Sequence, residues 1–263
     1  MAGIDPDVFE LVDNPNTYTP LRPGEERVWD GRFVLYMGLQ PGWNVAQRFR
    51  FPAEELDDVR AEVHRLLRER DRTACAWEIG TAAQPDGLAG LLLERGLTWD
   101  DADHEQTGMV LDRDPGSPPA GVIVRVAETR DDYAATDRIA YRAFGETADP
   151  DPATADRLVE THDPSRWRRY LAAVDGVDVA TGSASFTDRG VVLNAGSTLP
   201  EWRGRGAYRA LVRARWDDAV AAGTPVLVTQ ASAMSQPILE RMGFTAVCRI
   251  EALQDTLGGP AAS

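Results

Sequence analysis

A pair of glycines and a group of arginines occur together in the second half of the chain, where a predicted strand gives way to a predicted helix. Arg203 and Arg205 lie on either side of Gly204. Three more arginines follow Gly206: Arg209, Arg213 and Arg215. The first N–H groups of a helix lack partners within it, and the helix dipole attracts an anion. Glycines let an anion approach the backbone, and arginine suits bidentate contact with phosphate. The segment therefore predicts a phosphate site; the alternative is a turn followed by a helix whose arginines are solvated.

The flanking elements are those that such a site requires. Residues 191–193 predict the core of a strand, and residues 194–200 continue it irregularly, with Gly196 as the expected bulge. After the glycines, apolar residues at helical spacing define one face: Leu211, Val212, Trp216, Ala219 and Val220. Gly223 is expected to end this helix. Because the formal net charge of the chain is −14, a basic cluster here is stronger evidence than it would be in a basic protein.

Two segments resemble sequence motifs of the GNAT acetyltransferase superfamily. Residues 198–212, TLPEWRGRGAYRALV, are similar to motif A, the acyl-CoA loop of that family, with Glu201 in place of the usual Gln or Arg. Residues 237–244, PILERMGF, are similar to motif B, with Leu239 where a tyrosine is usual. The two motifs have the order and separation found in the family. With the strands before them, the resemblance covers residues 121–254.

The resemblance implies a site for acetyl-CoA as a co-substrate, without a metal. The pantetheine would add to the strand ahead of the glycine loop, and the pyrophosphate would meet N–H groups of the loop and of the helix start. One backbone N–H near residues 196–198 would polarise the thioester carbonyl. The implied contacts with the cofactor are Ser197, Thr198, Leu199, Arg203, Gly204, Arg205, Gly206, Ala207 and Tyr208.

The groups that would carry out the acid and base steps are not identified by the sequence. Leu239 stands where the family usually has an acidic tyrosine, and residues 191–193 lack the glutamate that often acts as a base there. Three residues are candidates for binding the acceptor: Asn194, Glu146 in an acidic loop, and His162, which could also serve as a base. The alternatives are a structural asparagine at a strand kink and a solvated acidic loop.

The first half of the chain predicts the element order ββαβαβ. Strands are expected at 32–39, 44–51, 73–79 and 107–111, and helices at 52–70 and 86–95. The segment LAGLLLERGL at 88–97 echoes QPILERMGF at 236–244, which favours two tandem copies of one domain. The first copy has no glycine loop, and its long helix begins with carboxylates that would repel a pyrophosphate: Glu54, Glu55, Asp57 and Asp58. We therefore expect one CoA site per chain.

The expected fold is α/β, with two tandem GNAT-like domains, each a mixed, mostly antiparallel sheet flanked by helices. The predicted domains are a degenerate GNAT-like N-terminal domain at 1–114 and an acetyltransferase domain with the acyl-CoA site at 122–255. A linker rich in proline and small residues occupies 115–121, and residues 256–263 are expected to form a flexible tail. Residues 1–30 predict an irregular segment.

Composition limits the remaining possibilities. The acidic balance argues against nucleic acid as a partner, and no apolar run is long enough for a membrane span. The three histidines show no metal-ligand spacing, and the acidic N-terminal segment lacks the form of a signal peptide, so a cytoplasmic location is expected. The sequence thus predicts an N-acetyltransferase acting on a small-molecule amine, as a monomer or homodimer. The alternatives are a non-catalytic acyl-CoA-binding regulatory module and a transferase for another acyl group.

Overall fold

A computed structural model describes residues 3–100 and 104–257 as an alternation of helices and strands. In chain order these are α1 (Pro6–Asp13), α2 (Pro15–Tyr18), β1 (Glu26–Trp29), β2 (Val34–Met37), β3 (Asn44–Gln47), α3 (Leu56–Arg68), β4 (Ala74–Gly80), α4 (Leu88–Leu93), β5 (Thr98–Trp99), β6 (Glu105–Leu111), β7 (Val122–Val126), α5 (Arg130–Ala143), α6 (Pro152–Glu160), β8 (Trp167–Val174), β9 (Val177–Thr187), β10 (Gly190–Thr198), α7 (Ala207–Ala221), β11 (Leu227–Ala231), α8 (Gln236–Arg241) and β12 (Thr245–Thr256). No helix in these two ranges combines the length and apolar character that crossing a membrane requires.

The N-terminal segment is ordered, so the prediction of an irregular segment at 1–30 is wrong. Helix α1 begins after Asp5, whose side chain accepts a hydrogen bond from the Asp7 N–H, and it has a proline in its first turn. Val8, Leu11 and Val12 are buried on one face of this helix. The apolar repeat covers barely two turns, which is why the pattern alone did not reveal it.

The first compact unit comprises residues 1–109, 230–238 and 246–263. Its strands have the order β1-β2-β3-β4-β12-β6, and the short β5 also pairs with β12. Neighbours β1–β2, β2–β3 and β4–β12 are antiparallel, whereas β3–β4 are parallel. The largest apolar cluster of this unit gathers around Trp77 and includes Phe49, Leu67 and Leu253.

The C-terminal strand lies in this first unit, which differs from the chain-order boundaries expected at 1–114 and 122–255. In β12, Leu253 is opposite Trp77 of β4, and both side chains are fully buried. The strand runs to Thr256 and Leu257 is buried, so the prediction of a flexible tail is wrong for residues 256 and 257. Residues 258–263 lie outside the described residues. The division into domains at 1–114 and 122–255 with a linker at 115–121 stays a prediction.

The second compact unit comprises residues 110–229 and 239–245. Its strand order is β11-β10-β9-β8-β7, with antiparallel pairs throughout except for the parallel pair β10–β11. Helices α5 and α7 both pack on β8, β9 and β10. Helix α5 begins with a capping box in which the Thr129 and Asp132 side chains bond each other's backbone N–H groups.

The two units repeat one plan, as the tandem prediction requires. In each unit a helix joins two neighbouring parallel strands: β3-α3-β4 in the first unit and β10-α7-β11 in the second. Parallel neighbours need such a crossover, because a tight hairpin reverses the direction of the chain and can join only antiparallel strands. The prediction of a tandem α/β fold, with mixed, mostly antiparallel sheets flanked by helices, is confirmed.

Glu78 on β4 is half-buried, and its ionisation makes the unfolding free energy depend on pH. Its carboxylate accepts a hydrogen bond of 3.5 Å from Asn16 Nδ2. Burial, and secondarily the charge of Asp100, raise the pKa of Glu78 to about 7 from its ordinary value of 4.5. The native state therefore holds this proton more tightly than the unfolded state. The unfolding free energy falls as the pH rises from about 4.5 to about 7.

We expect Glu78→Gln to remove this loss. Glutamine at position 78 cannot ionise. The unfolding free energy of the variant should therefore exceed that of the wild type by nothing near pH 4.5 and by about 2 kcal/mol above pH 7. Urea denaturation of both proteins at a series of pH values measures the difference. A difference that stays constant across this pH range would contradict the prediction.

Candidate functional site

A gap opens in the second unit where β10 and β11 stop pairing. The two strands are in parallel register only at Val191–Leu227 and Val192–Val228. On its other side, β10 stays paired with β9, but the register shifts between Asn194 and Ser197. Ala195, inside this shift, has a φ of 51°, in the left-handed region. The bulge predicted around residue 196 is confirmed, and it bends the end of β10 away from its parallel neighbour.

The end of β10 presents backbone groups to this gap. The Leu199 N–H donates to the Val179 carbonyl on β9 at 2.9 Å. Since successive residues of a strand direct their backbone groups to opposite edges, the N–H and C=O of Thr198 point to the open edge. Arg203 Nε lies 3.4 Å from the Thr198 carbonyl, which places that carbonyl within reach of the loop that follows. A ligand lying in the gap could therefore pair with Thr198 as an added strand would.

The glycine loop connects this open edge to the start of α7. After a single 3₁₀ turn at Pro200–Trp202, Gly204 and Gly206 adopt φ values of +79° and +87°. Helix α7 begins at Ala207, and no side chain of the described residues caps its first N–H groups. These groups are free to serve an anion. A Cβ at Gly206 would lie 2.8 Å from the Pro119 ring, whereas a Cβ at Gly204 would meet no atom of the described residues within 4 Å.

The arginines of the segment divide into two groups. Arg203 and Arg205 lie in the loop: Arg203 donates to the Ala143 carbonyl at 3.3 Å, and the Arg205 guanidinium lies 4.6 Å from the centre of the Trp202 ring. Arg209 is exposed in the first turn of α7. These three arginines are close in sequence to the uncapped helix start, so they remain candidates for contacts with an anion there.

Arg213 and Arg215 do not belong to a phosphate site. Arg213 is paired with Asp114 and Asp217 at 2.6 and 2.5 Å. Arg215 is only 1% exposed and donates from Nε to the Leu211 carbonyl at 3.0 Å. Both were expected in the basic cluster because the sequence shows a residue type but not the direction of its side chain. At helical spacing, Arg215 falls on the inner face of α7.

Tyr208 packs between α7 and the bulge. A Cβ at Gly196 would lie 2.7 Å from Tyr208 Cε2, so glycine at 196 is required by this ring. Burial lowers the pKa of Arg215, and the Tyr208 side chain is among the groups that oppose this shift. Ala207 is buried, so only its backbone can contact a ligand. Ser197 is also buried, and its Oγ has no hydrogen-bond partner among the described residues.

The three candidate acceptor groups have different surroundings. Asn194 is exposed at the bulge, and its carbonyl accepts a hydrogen bond of 3.1 Å from Ser183 Oγ. Glu146 is exposed in the loop after α5, where the backbone holds it through Tyr141. His162 Nδ1 is 2.6 Å from the Tyr133 hydroxyl, so this ring joins the end of α6 to α5. Their binding of an acceptor stays a prediction.

The motif B segment folds as a helix with a defined end. The Phe244 N–H donates to the Leu239 carbonyl at 3.1 Å, Gly243 has a φ of +97°, and Phe244 is buried. This is a Schellman ending, which explains the Gly-Phe pair physically. Leu239 is 1% exposed and has no group that could donate a proton. The structure thus offers no acid at the position where the resemblance would place one.

In the first unit, side chains occupy the region beside the parallel strands β3 and β4 that corresponds to the gap between β10 and β11. Its parallel strands pair at Val45–Ala76 and Ala46–Trp77, and the chain then turns at Arg48, which has a φ of 56°. Phe49 follows and stacks on Trp77, with ring centres 5.0 Å apart. No glycine loop precedes α3. The expectation of a single CoA site per chain stays a prediction, and this filled gap supports it.

The chain is similar in structure to several GNAT proteins. A GCN5-related N-acetyltransferase from Kribbella flavida is 21% identical with a TM-score of 0.66, and the match covers 90% of this chain and 91% of that chain. A tandem GNAT protein from the clavulanic acid biosynthesis pathway, solved without acetyl-CoA, is 16% identical with a TM-score of 0.61, covering 97% and 95%. A GCN5-related N-acetyltransferase from Sphaerobacter thermophilus is 17% identical with a TM-score of 0.60, covering 86% and 80%.

These likenesses establish the fold: the chain has the tandem GNAT fold, and the resemblance predicted from motifs A and B is confirmed at that level. No protein-family model matches the chain, and no curated protein sequence matches it. The activity of this chain has therefore to be argued from its own site.

Proposed function

We propose that the protein is an acyltransferase that moves an acetyl group from acetyl-CoA to the amine of a small-molecule acceptor. The observation that carries the proposal is one continuous arrangement in the second unit. The open edge of β10 at Thr198, the loop with Gly204 and Gly206, and the uncapped start of α7 follow one another within ten residues. A strand edge suits the amide groups of pantetheine, and a helix start suits a pyrophosphate.

Each implied contact has a physical task in this proposal. Thr198 would bind the pantetheine through its backbone, and its N–H is the group best directed to polarise the thioester carbonyl. The glycines and the N–H groups from Ala207 and Tyr208 would hold the pyrophosphate, with Arg203 and Arg205 offsetting its charge. Arg203 would have to leave its present partners, the carbonyls of Ala143 and Thr198 at 3.3 and 3.4 Å; its own side chain is exposed.

The reaction needs little acid catalysis. A neutral amine attacks the thioester carbon, the C–N bond forms, the C–S bond breaks, and the thiolate of CoA leaves. A thiol has a pKa near 8.5, so the thiolate is a good leaving group without prior protonation. The proton lost by the amine passes to water, and positioning the amine against the thioester can supply about 7–11 kcal/mol of the barrier reduction.

A second candidate is an acyl-CoA-binding module without turnover. Leu239, buried at the motif B position, favours it, because no acid is present there. Transfer of a different acyl group is the remaining alternative. The small-molecule acceptor, the absence of nucleic acid and membrane partners, the cytoplasmic location and the monomer or homodimer also remain proposals.

The proposal predicts release of free thiol from acetyl-CoA in the presence of an accepted amine. We would measure this release across a panel of amines, amino acids and aminoglycoside-like compounds, and identify the acetylated product by mass spectrometry. The matched control is Gly204→Asp, which should lose release together with CoA binding. CoA binding without release for any amine and any short acyl-CoA would support the non-catalytic module instead.

A further inference from the structure

A cleft lies between α5 and the end of β10 in the second unit. Its volume is about 290 Å³, and its lining residues are Ala135, Arg138, Ile139, Arg142, Asp178 and Leu199. Four of these residues form one stripe along α5 at the i, i+3, i+4 and i+7 spacing. Leu199 borders the cleft and directly follows the strand edge proposed to hold pantetheine, so a ligand in the cleft would lie beside the proposed site.

The two arginines of the cleft have no carboxylate partner among the described residues. Arg138 and Arg142 are exposed, and neither forms an ion pair with a carboxylate in the part of the chain that the structure describes. Arg138 makes one contact, from Nε to the Ala134 carbonyl at 3.3 Å. By contrast, Arg130 on the first turn of the same helix is bonded to Asp156. Two unpaired guanidinium groups one helical turn apart are unexpected in a chain with a net charge of −14.

Asp178, the carboxylate among the lining residues of the cleft, is held by an arginine outside the cleft. Asp178 accepts two hydrogen bonds of 2.9 Å from the guanidinium of Arg125, one on each oxygen. Such a bidentate pair satisfies the carboxylate geometrically and offsets its charge. Arg125 also contacts Asp132 at 2.9 Å, so its single positive charge is shared between two carboxylates. The lining itself still has two arginines, Arg138 and Arg142, against the one carboxylate of Asp178.

We infer that this cleft binds an anionic group, a carboxylate or a phosphate, of a small ligand. The inference rests on the proposed function, because the ligand would be either the amine acceptor or CoA itself. The group would lie between Arg138 and Arg142 with its apolar part against Ile139 and Leu199, which supply the uncharged wall. If the ligand is the acceptor, it carries both an amine and an acid.

The test uses an arginine-selective reagent and needs no activity. Phenylglyoxal modification of the full-length protein is followed residue by residue by peptide mass spectrometry, with inorganic phosphate or with sodium chloride at equal ionic strength. Phosphate should slow the modification of Arg138 and Arg142 at least threefold. Arg157 on α6, which is exposed and carries no ion pair in the described chain, is the internal control and should not change. Equal rates at all three arginines in both salts would overturn the inference.

A second measurement identifies the source of the anion. If it is the 3′-phosphate of CoA, the wild type should bind CoA about fivefold more tightly than dephospho-CoA, and the double variant Arg138→Gln/Arg142→Gln should lose this preference. If it is the acceptor, the double variant should bind both cofactors normally. Its KM should then rise about tenfold for an acidic amine but not for the corresponding amide, with kcat unchanged.

Arg157→Gln is the matched control variant, since it removes an exposed charge from the same unit without touching the cleft. If the double variant and the control behave alike with both cofactors and with both acceptors, the inference is wrong. Failure of the proposed function has a different outcome: no thiol is released by the wild type with any amine, while the phosphate protection of Arg138 and Arg142 persists. Protection confined to Arg203 and Arg205 would support the glycine loop and contradict the cleft.

Discussion

Gly204→Asp is expected to weaken CoA binding by at least about a hundredfold, whereas Gly204→Asn should change it by less than about fivefold. Both side chains tolerate the left-handed conformation that residue 204 adopts, and a Cβ there meets no described atom within 4 Å. The two variants are nearly equal in size, so they differ in one negative charge placed beside the pyrophosphate. Like charges about 4 Å apart near a protein surface cost up to about 4 kcal/mol, which amounts to a hundredfold or more.

Isothermal titration with CoA measures both affinities, and thermal unfolding of the two variants checks that the fold is kept. If Gly204→Asp binds as tightly as Gly204→Asn, the pyrophosphate does not lie at this loop. Position 206 is a poorer choice for such a variant. A side chain there would meet the Pro119 ring at 2.8 Å, so lost binding could come from a displaced linker.

Trp77→Ala is expected to lower the unfolding free energy by about 3–5 kcal/mol, the usual cost of emptying a buried tryptophan site. Trp77 is fully buried in the largest apolar cluster of the first unit, and its ring stacks on Phe49 at 5.0 Å with 9° between the planes. Leu253 of β12 is paired opposite Trp77 and belongs to the same cluster. The variant would leave a cavity with these neighbours as its walls.

Trp77→Phe is the matched control for this loss. The indole Nε1 of Trp77 has no hydrogen-bond partner among the described residues, so replacing it removes an unsatisfied buried donor while an aromatic ring remains against Phe49. We expect this variant to lose much less stability than the alanine variant. Urea denaturation followed by circular dichroism measures both. Equal midpoints for the wild type and Trp77→Ala would show that the packing around Trp77 is not as described.

Several features of the fold and the candidate site follow from local sequence alone. The glycine loop and the start of α7 depend on residues within a few positions of one another, and so does the helix ending at Gly243 and Phe244. Such patterns are decided by backbone conformation and neighbouring groups, so they can be recognised before the chain is folded. The tandem plan was likewise visible, because the β-α-β order recurs in both halves.

Other features depend on partners that are distant in the chain. The bulge needs glycine at 196 because Tyr208 covers it, and Arg215 leaves the basic cluster because its side chain turns inward beneath the sheet. The last strand joins the first unit because Leu253 pairs opposite Trp77, a contact between residues 176 positions apart (253 − 77).

The sequence by itself therefore determined the tandem GNAT-like plan, the glycine loop and the missing motif B tyrosine, since each is a matter of residue type at short spacing. Only the tertiary structure decided which arginines form ion pairs. Arg213 is bound by Asp114, while Arg138 and Arg142, which line the cleft with Leu199, form no ion pair with any described residue. A charge pattern gives the number of ionic groups, but the ion pairs form between side chains that folding brings together from separate elements. For that reason the cleft on α5 could be found only in the folded chain.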